Sequence, residues 1–334
     1  MASARHKVRE RTPARRPAVA ALTVLAVAFG GCGKISATVT QPPVKPFVVA
    51  LAGAAGPDEA PLLVAGEEGY FTAAGLDVQL RDHVAAPLKR LREGQVQMAI
   101  ASEPELLMAR DHGAQVVAVA ALFQRPLGAL ITIRQRGREA LAGRPVGTDG
   151  SPLAAAELQT IAADAHAVDV GDELVGAITD GRLHATLGAT WNYQALEPAL
   201  LRRHPVVLPV DRVGVPTYAG LVLIVTVHSA HTDGEDLRAM LQALARGERT
   251  AQSDPAGATR AVLKATPTSP PALVRASLGV TDAAQSTTGG QWGAMNDDQW
   301  ASFGRWMVTH GLLSAPLQPA DWPFTNEYLP GEGI

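Results

Sequence analysis

The sequence predicts an α/β protein with largely parallel sheets arranged in two domains, and three observations carry that prediction. Strand-length apolar runs alternate along the chain with segments of helical periodicity, which is how α/β units read in sequence. Glycine or a serine, threonine or aspartate cap stands at many of the boundaries between them. Behind an apparent leader, about 290 residues remain, more naturally two domains than one.

In the first block, residues 47–51 form a strand and Asp58 caps a helix that runs to about Glu68, where Gly69 stops it. Leu76, Val78 and Leu80 alternate with Asp77 and Gln79, the period of a half-buried strand. Leu88 and Leu91 mark a helix, residues 96–101 a strand, Ser102 the start of another helix and residues 116–122 a fourth strand. The second block opens with an apolar run at 129–133. It continues through a strand at 144–147, a helix from Pro152 and a strand at 185–189. Residues 221–227 are again a strand, 237–251 a helix, and the chain to about Gly311 is mostly helical.

The N-terminal segment reads as an address. Arg5, Lys7, Arg9, Arg11, Arg15 and Arg16 precede the apolar run 18–29, which ends in Gly30-Gly31-Cys32. That is the pattern of an export signal over residues 1–31. A run of about 12 residues is too short for a membrane span, which takes about 20. Cys32 is the only cysteine in the chain, so it forms no internal disulfide and no multi-thiolate metal site. Its place after two glycines resembles a bacterial lipobox, which implies lipidation of Cys32 and a membrane anchor on the outer face of the cell membrane. Arg15-Arg16 leaves general secretory and twin-arginine export both open as routes. Residues 32–46 are small, polar and proline-containing, a flexible tether. The net charge of −3 argues against a nucleic-acid partner. The nine histidines form no metal-ligand pattern, and His184 and His204 read as surface residues.

Several blocks resemble a known family. Pro61-Leu62, Glu67-Glu68-Gly69-Tyr70-Phe71 and Gly75-Leu76-Asp77-Val78 are similar to the opening signature of the nitrate/taurine/thiamine-precursor group of substrate-binding proteins. Trp191-Asn192-Tyr193, Gly214-Val215-Pro216-Thr217-Tyr218, Arg246-Gly247 with Asp254-Pro255, and residues 324–330 resemble its thiamine pyrimidine-binding branch. The resemblance implies the type II periplasmic-binding-protein fold, two lobes around a central ligand cleft joined by two hinge crossings. It places residues 47–128 and 222–334 in a discontinuous lobe 1 and residues 129–221 in lobe 2. It further implies a monomer that hands a small-molecule ligand to the permease and ATPase of an ABC importer, with no cofactor, no metal and no catalysis.

Candidate ligand-binding residues follow from strand ends, where α/β sheets bind ligands. Trp191, Asn192, Tyr193 and Gln194 come directly after the strand at 185–189 and offer flat faces and amides to a heteroaromatic ring, or else pack a helix start. Ser102, Glu103 and Glu105 occupy the analogous junction in the first block, where they either accept from ligand amino groups or cap a helix. Tyr218 closes over the ligand or packs the crossover. Trp292, Trp300, Trp306 and Trp322 are expected to pack the C-terminal segment against lobe 1. Compared with the pyrimidine-binding branch, Gly53 and Glu59 stand in place of a Trp and a His, and Gln194 in place of a Glu. The expected ligand is a small amino-heteroaromatic such as a thiamine pyrimidine precursor. An oxyanion such as a sulfonate or nitrate, held by Arg125, is the alternative. A pyrimidine-synthase-like enzyme is a third reading, and the cysteine-rich motif it needs is missing.

Overall fold

The computed structural model describes residues 44–133, 141–285, 291–318 and 321–331 of the 334-residue chain. The expected leader, Cys32 and most of the tether lie outside the described residues.

Ten strands form two five-stranded sheets among the described residues. The first sheet takes β1 (Lys45–Leu51), β2 (Leu76–Arg81), β3 (Met98–Ala101), β4 (Val116–Phe123) and β10 (Leu221–Thr226), in the order β2-β1-β3-β10-β4. The second takes β5 (Gly128–Thr132), β6 (Pro145–Thr148), β7 (His166–Asp169), β8 (Ala185–Thr190) and β9 (Val206–Pro209), in the order β7-β6-β8-β5-β9. The sheets are mixed rather than largely parallel. β1 runs parallel to β2 and β3, and β6 to β7 and β8, but β10 is antiparallel to both its neighbours and so is β5. The reversed strands are the two that the chain enters on passing from one sheet to the other. Only residues 124–127 separate β4 from β5, too short a connection for a helical crossover.

Twelve helices flank the sheets among the described residues: α1 (Ala60–Glu67), α2 (Tyr70–Ala73), α3 (Pro87–Arg92), α4 (Glu103–Asp111), α5 (Pro152–Ala162), α6 (Leu174–Thr179), α7 (Pro198–Leu201), α8 (Val227–Thr232), α9 (Gly234–Ser253), α10 (Pro255–Ala265), α11 (Pro271–Gln285) and α12 (Asp297–Thr309). Asp58 does not cap α1. Pro57 starts a 3₁₀ turn over Pro57–Glu59 that occupies Asp58, and Glu59 precedes the helix instead. Gly69 stops α1 in the left-handed region at φ +70°, which glycine adopts without strain. The strand β7 and helix α6 escape sequence reading because β7 is exposed along its whole length and carries no apolar alternation.

Four buried cores hold these layers together. One face of the first sheet packs on α1, α2 and α9, with Val49, Phe71, Leu241 and Leu244 buried. Gly247 is required where α9 crosses α1, since a Cβ there would collide with the Pro61 carbonyl. Arg246 beside it lies over the Tyr70 ring at 4.1 Å. The opposite core runs from the first sheet through Trp300, Phe303 and Met307 of α12 to Leu158 and Ile161 of α5. Trp306 therefore packs across to α5 rather than only onto the first sheet, and its Nε1 donates to Thr160 Oγ1 at 3.0 Å. Trp300 is fully buried and meets Phe324 in a tilted pair with ring centroids 4.9 Å apart, whereas Trp292 and Trp322 are partly buried at the periphery of the cores. None of the helices among the described residues is long and apolar enough to cross a membrane.

Candidate ligand-binding cavity

A cavity of about 670 Å³ opens where the carboxyl ends of β1 and β3 meet the carboxyl end of β8. It is large enough for a small organic molecule, for which pockets of about 300–1,000 Å³ are usual. Its first wall is the loop that leaves β1, residues 52–59, extended by Ile100, Ala101 and Glu105 and by the start of α3 as far as Lys89. The second wall comes from the end of β8 and the turn behind it, through Thr190, Tyr193, Gln194 and Glu197. Leu127 and Leu221, beside the two passages between sheets, floor it, and Thr266 and Ser269 from the α10–α11 connection close one side.

The loop wall is small and acidic. Gly53 is exposed, and a side chain there would meet nothing within 4 Å, so this part of the wall is bare backbone. Glu59 is buried and its Oε2 accepts from the Gly56 N–H at 2.8 Å. Burial, with the neighbouring Asp58 charge, pushes its carboxyl up to about 8. Asp58 is pushed up to about 6 by burial, partly offset by the amide it accepts from. That amide is Asn192 Nδ2, which donates to Asp58 Oδ1 at 2.6 Å and so ties the loop wall to the β8 wall.

The β8 wall is ordered by local hydrogen bonds. Thr190 N–H donates to Gln194 Oε1 at 2.8 Å, and Gln194 N–H donates back to Thr190 Oγ1 at 3.2 Å, closing the turn. Of the four residues expected here, Tyr193 and Gln194 line the cavity, whereas Trp191 and Asn192 do not. Trp191 turns away from it: its Nε1 donates to the Pro126 carbonyl at 2.9 Å and its ring packs on two of the cores. Asn192 is fully buried, donates also to Thr281 Oγ1 at 3.1 Å, and its Oδ1 has no partner among the described residues. The Tyr193 hydroxyl lies 3.4 Å from Ser269 Oγ, a second contact between the two sides.

At the β3–α4 junction the structure brings only Glu105 to the cavity. Ser102 and Glu105 form a reciprocal cap: Ser102 Oγ accepts from Glu105 N–H, and Glu105 Oε2 accepts from Ser102 N–H at 2.8 Å. Glu103 faces the protein interior, where its Oε2 accepts from Ala219 N–H at 2.6 Å and Oε1 has no partner among the described residues. Burial raises its carboxyl to about 8. Tyr218 lies on the far side as well. Its ring is 4.5 Å from Phe303 and its hydroxyl donates to Glu157 Oε1 at 3.0 Å. Glu157, buried there, is pushed up to about 7. Glu103 and Tyr218 thus pair with the chain between β9 and β10 and with α5 and do not line the cavity, because helix packing draws both into the α12-side core. Arg125 is committed too, with Nε and Nη2 donating to the two oxygens of the nearly buried Asp211 at 2.8 and 2.9 Å.

Sequence reading missed Lys89, Glu197, Thr266 and Ser269 on the cavity wall. Glu197 carried a usable signal, an acid directly before Pro198 in the turn after a strand end. Thr266 and Ser269 carried none, since tertiary packing alone brings their connection back to the cleft. Among the described residues no group of His, Cys, Asp and Glu is placed to hold a metal ion.

Two mixed sheets, a chain that passes between them twice, and a cavity at their strand ends define the two-lobed type II periplasmic-binding-protein fold. Solved structures share it. The aliphatic sulphonate-binding protein SsuA of Escherichia coli aligns with a TM-score of 0.64 at 12% identity, over 82% of this chain and 95% of that one. The alkanesulfonate-binding SsuA of Xanthomonas axonopodis pv. citri, bound to MOPS, aligns with a TM-score of 0.60 at 14% identity, over 82% and 96%. Within that fold, the profile of the NMT1/THI5-like family matches residues 56–258, more than half of the sequence, and the chain belongs to this family. A formylaminopyrimidine-binding protein from Halalkalibacterium halodurans is 28% identical over 279 residues, 78% of this chain and 84% of the relative.

Proposed function

We propose that this chain is the extracytoplasmic solute-binding component of an ABC importer and that its cavity takes a small amino-heteroaromatic such as a thiamine pyrimidine precursor. One observation carries the choice of ligand. Four carboxyls, from Asp58, Glu59, Glu105 and Glu197, line the cavity against a single ammonium, that of Lys89. Apart from Glu59, which burial keeps mostly protonated near neutral pH, these carboxyls accept hydrogen bonds from amino groups and disfavour anions. The Tyr193 ring adds a flat apolar face for a heteroaromatic. The named function of the formylaminopyrimidine-binding relative supports the same reading. An oxyanion finds less here, because Arg125 is already paired with Asp211.

The remaining parts of the proposal follow from the sequence. Residues 47–128 and 222–334 make lobe 1, residues 129–221 make lobe 2, and Cys32 carries a lipid anchor that holds the protein at the outer face of the membrane beside its permease and ATPase. A thermal-shift screen of the mature protein with formylaminopyrimidine, hydroxymethylpyrimidine and alkanesulfonates tests the ligand class. A ligand at 100 times its dissociation constant stabilises by about 2.7 kcal/mol, so the pyrimidines are expected to raise the melting temperature by several degrees. Silence from both pyrimidines at millimolar concentration, or a shift with sulfonates alone, would overturn it.

A further inference from the structure

Gln194 stands on the cavity wall at the first position of the 3₁₀ turn Gln194–Leu196, held to the end of β8. Its carboxamide has a determined orientation. Thr190 N–H donates to one end of it at 2.8 Å, and a backbone N–H can be accepted only by the oxygen, so that end is Oε1. The return bond from Gln194 N–H to Thr190 Oγ1, together with Glu197 N–H donating to the Gln194 carbonyl at 3.2 Å, fixes the backbone beneath it. The amide nitrogen is then the free end. Nε2 makes no hydrogen bond to protein among the described residues, although the side chain is half-buried. On the wall of the cavity that free N–H is available to a ligand acceptor.

The ionisable groups lining the same cavity are Asp58, Glu59, Glu105, Glu197 and Lys89, so apart from the ammonium and the proton that burial keeps on Glu59 they accept rather than donate. Gln194 is the opposite, an oriented donor that cannot turn round without setting its NH₂ against the Thr190 N–H.

We propose, on the reading that the cavity takes an amino-heteroaromatic, that Gln194 determines its specificity by requiring a hydrogen-bond acceptor on the ligand. The acceptor is an unprotonated ring nitrogen or a carbonyl oxygen, while the carboxyl groups take the ligand's N–H donors. The preferred ligand is therefore a neutral donor-and-acceptor molecule, as an aminopyrimidine is. A ring carrying a proton or an alkyl group on that nitrogen has no lone pair to offer and is selected against. A Glu at this position would have the reverse preference, since its carboxylate accepts and its charge favours a cation.

The test is a calorimetric comparison of two probes, 4-aminopyrimidine and whichever of its N1- and N3-methylated cations binds wild type more weakly, the one blocked at the nitrogen facing Gln194, on the wild-type chain, Gln194→Glu and Gln194→Met, each with its melting temperature recorded. The ratio of the two dissociation constants within each protein is the readout. Comparing ratios between proteins cancels the bulk of the added methyl group and the shared carboxyl lining. Wild type is expected to favour the neutral probe. Gln194→Glu should move the ratio toward the cation by about 100-fold, combining a lost donor and a gained charge at about tenfold each. Gln194→Met, which removes the donor without adding charge, should weaken the neutral probe about tenfold and leave the cation nearly unchanged. It decides the matter if the Glu variant fails to fold. Ratios that stay within threefold of wild type in the folded variants overturn the role of Gln194 and leave the ligand class standing. A wild-type protein that binds neither probe removes the ligand class, and the role of Gln194 with it.

Discussion

The two walls of the cavity are built on different principles. The wall behind β8 is held in place by its own hydrogen bonds: Thr190 and Gln194 close the turn, Trp191 is pinned to the Pro126 carbonyl, and Asn192 is buried against Asp58 and Thr281. The wall behind β1 is exposed backbone at residues 52–54, followed by two acids whose charge burial resists. A chemically rich cluster in sequence turns out to be mostly scaffold, and the stretch that reads as depleted carries two of the cavity's four carboxyls. Lining and scaffold overlap, since Asp58, Glu59 and Glu105 line the cavity and also accept local hydrogen bonds.

Replacing Trp191 gives the largest expected effect and breaks the comparison if it fails. Trp191→Ala should cost about 3 kcal/mol of stability, seen as a lower urea midpoint, because the ring packs on two cores and its N–H is bonded inside the protein. Affinity measured on the folded variant should change less than threefold. A variant of normal stability with affinity lost would put the ring in the cleft after all.

The acidic wall makes the next prediction. A free Glu titrates near 4.3, whereas burial holds Glu59 up to about 8, so between those values the folded state binds more protons than the unfolded one. Stability is therefore highest at the acid end of that window and falls as pH rises, by at most about 1.4 kcal/mol per pH unit for one such group. Glu103 and Glu157 act with the same sign from the other core. Glu59→Gln should lose less stability between pH 5 and pH 8 than wild type, as read from urea midpoints. An equal loss would mean that Glu59 is ionised in the folded protein throughout.

The smallest effect is a gain. The space around Gly53 is open, and its backbone is not in the left-handed region, so a side chain can be added there without strain. Gly53→Trp should supply a stacking face on the bare wall and tighten a heteroaromatic ligand by about 1 kcal/mol, roughly fivefold, by calorimetry. Weaker binding would show that the ligand itself occupies the place of the missing ring.

Much of the scaffold was legible in sequence because it is locally determined. β2 showed its alternation, Gly69 its helix stop, Ser102 the start of α4 and Pro152 the start of α5. Strand direction was not legible: β5 and β10 look like any buried strand, and their reversal follows from the passages between sheets. The lining of the cavity was legible only in part for the same reason. Position after a strand end identified the β8 turn, and Tyr193 and Gln194 do face the cavity. Which side of the turn each residue faces depends on packing partners distant in sequence, Pro126 for Trp191 and Thr281 for Asn192. Glu103 was drawn inward by Ala219, more than a hundred residues away. No local pattern carries that information.

The charge of the cavity is the claim on which the functional account rests, and competition calorimetry tests it most directly. The chain from residue 44 onward would be titrated with formylaminopyrimidine in the absence and presence of a millimolar alkanesulfonate. The account predicts single-site binding of the pyrimidine with a dissociation constant in the micromolar range or below, unchanged by the sulfonate. Sulfonate binding that displaces the pyrimidine, or that occurs in its place, would contradict it.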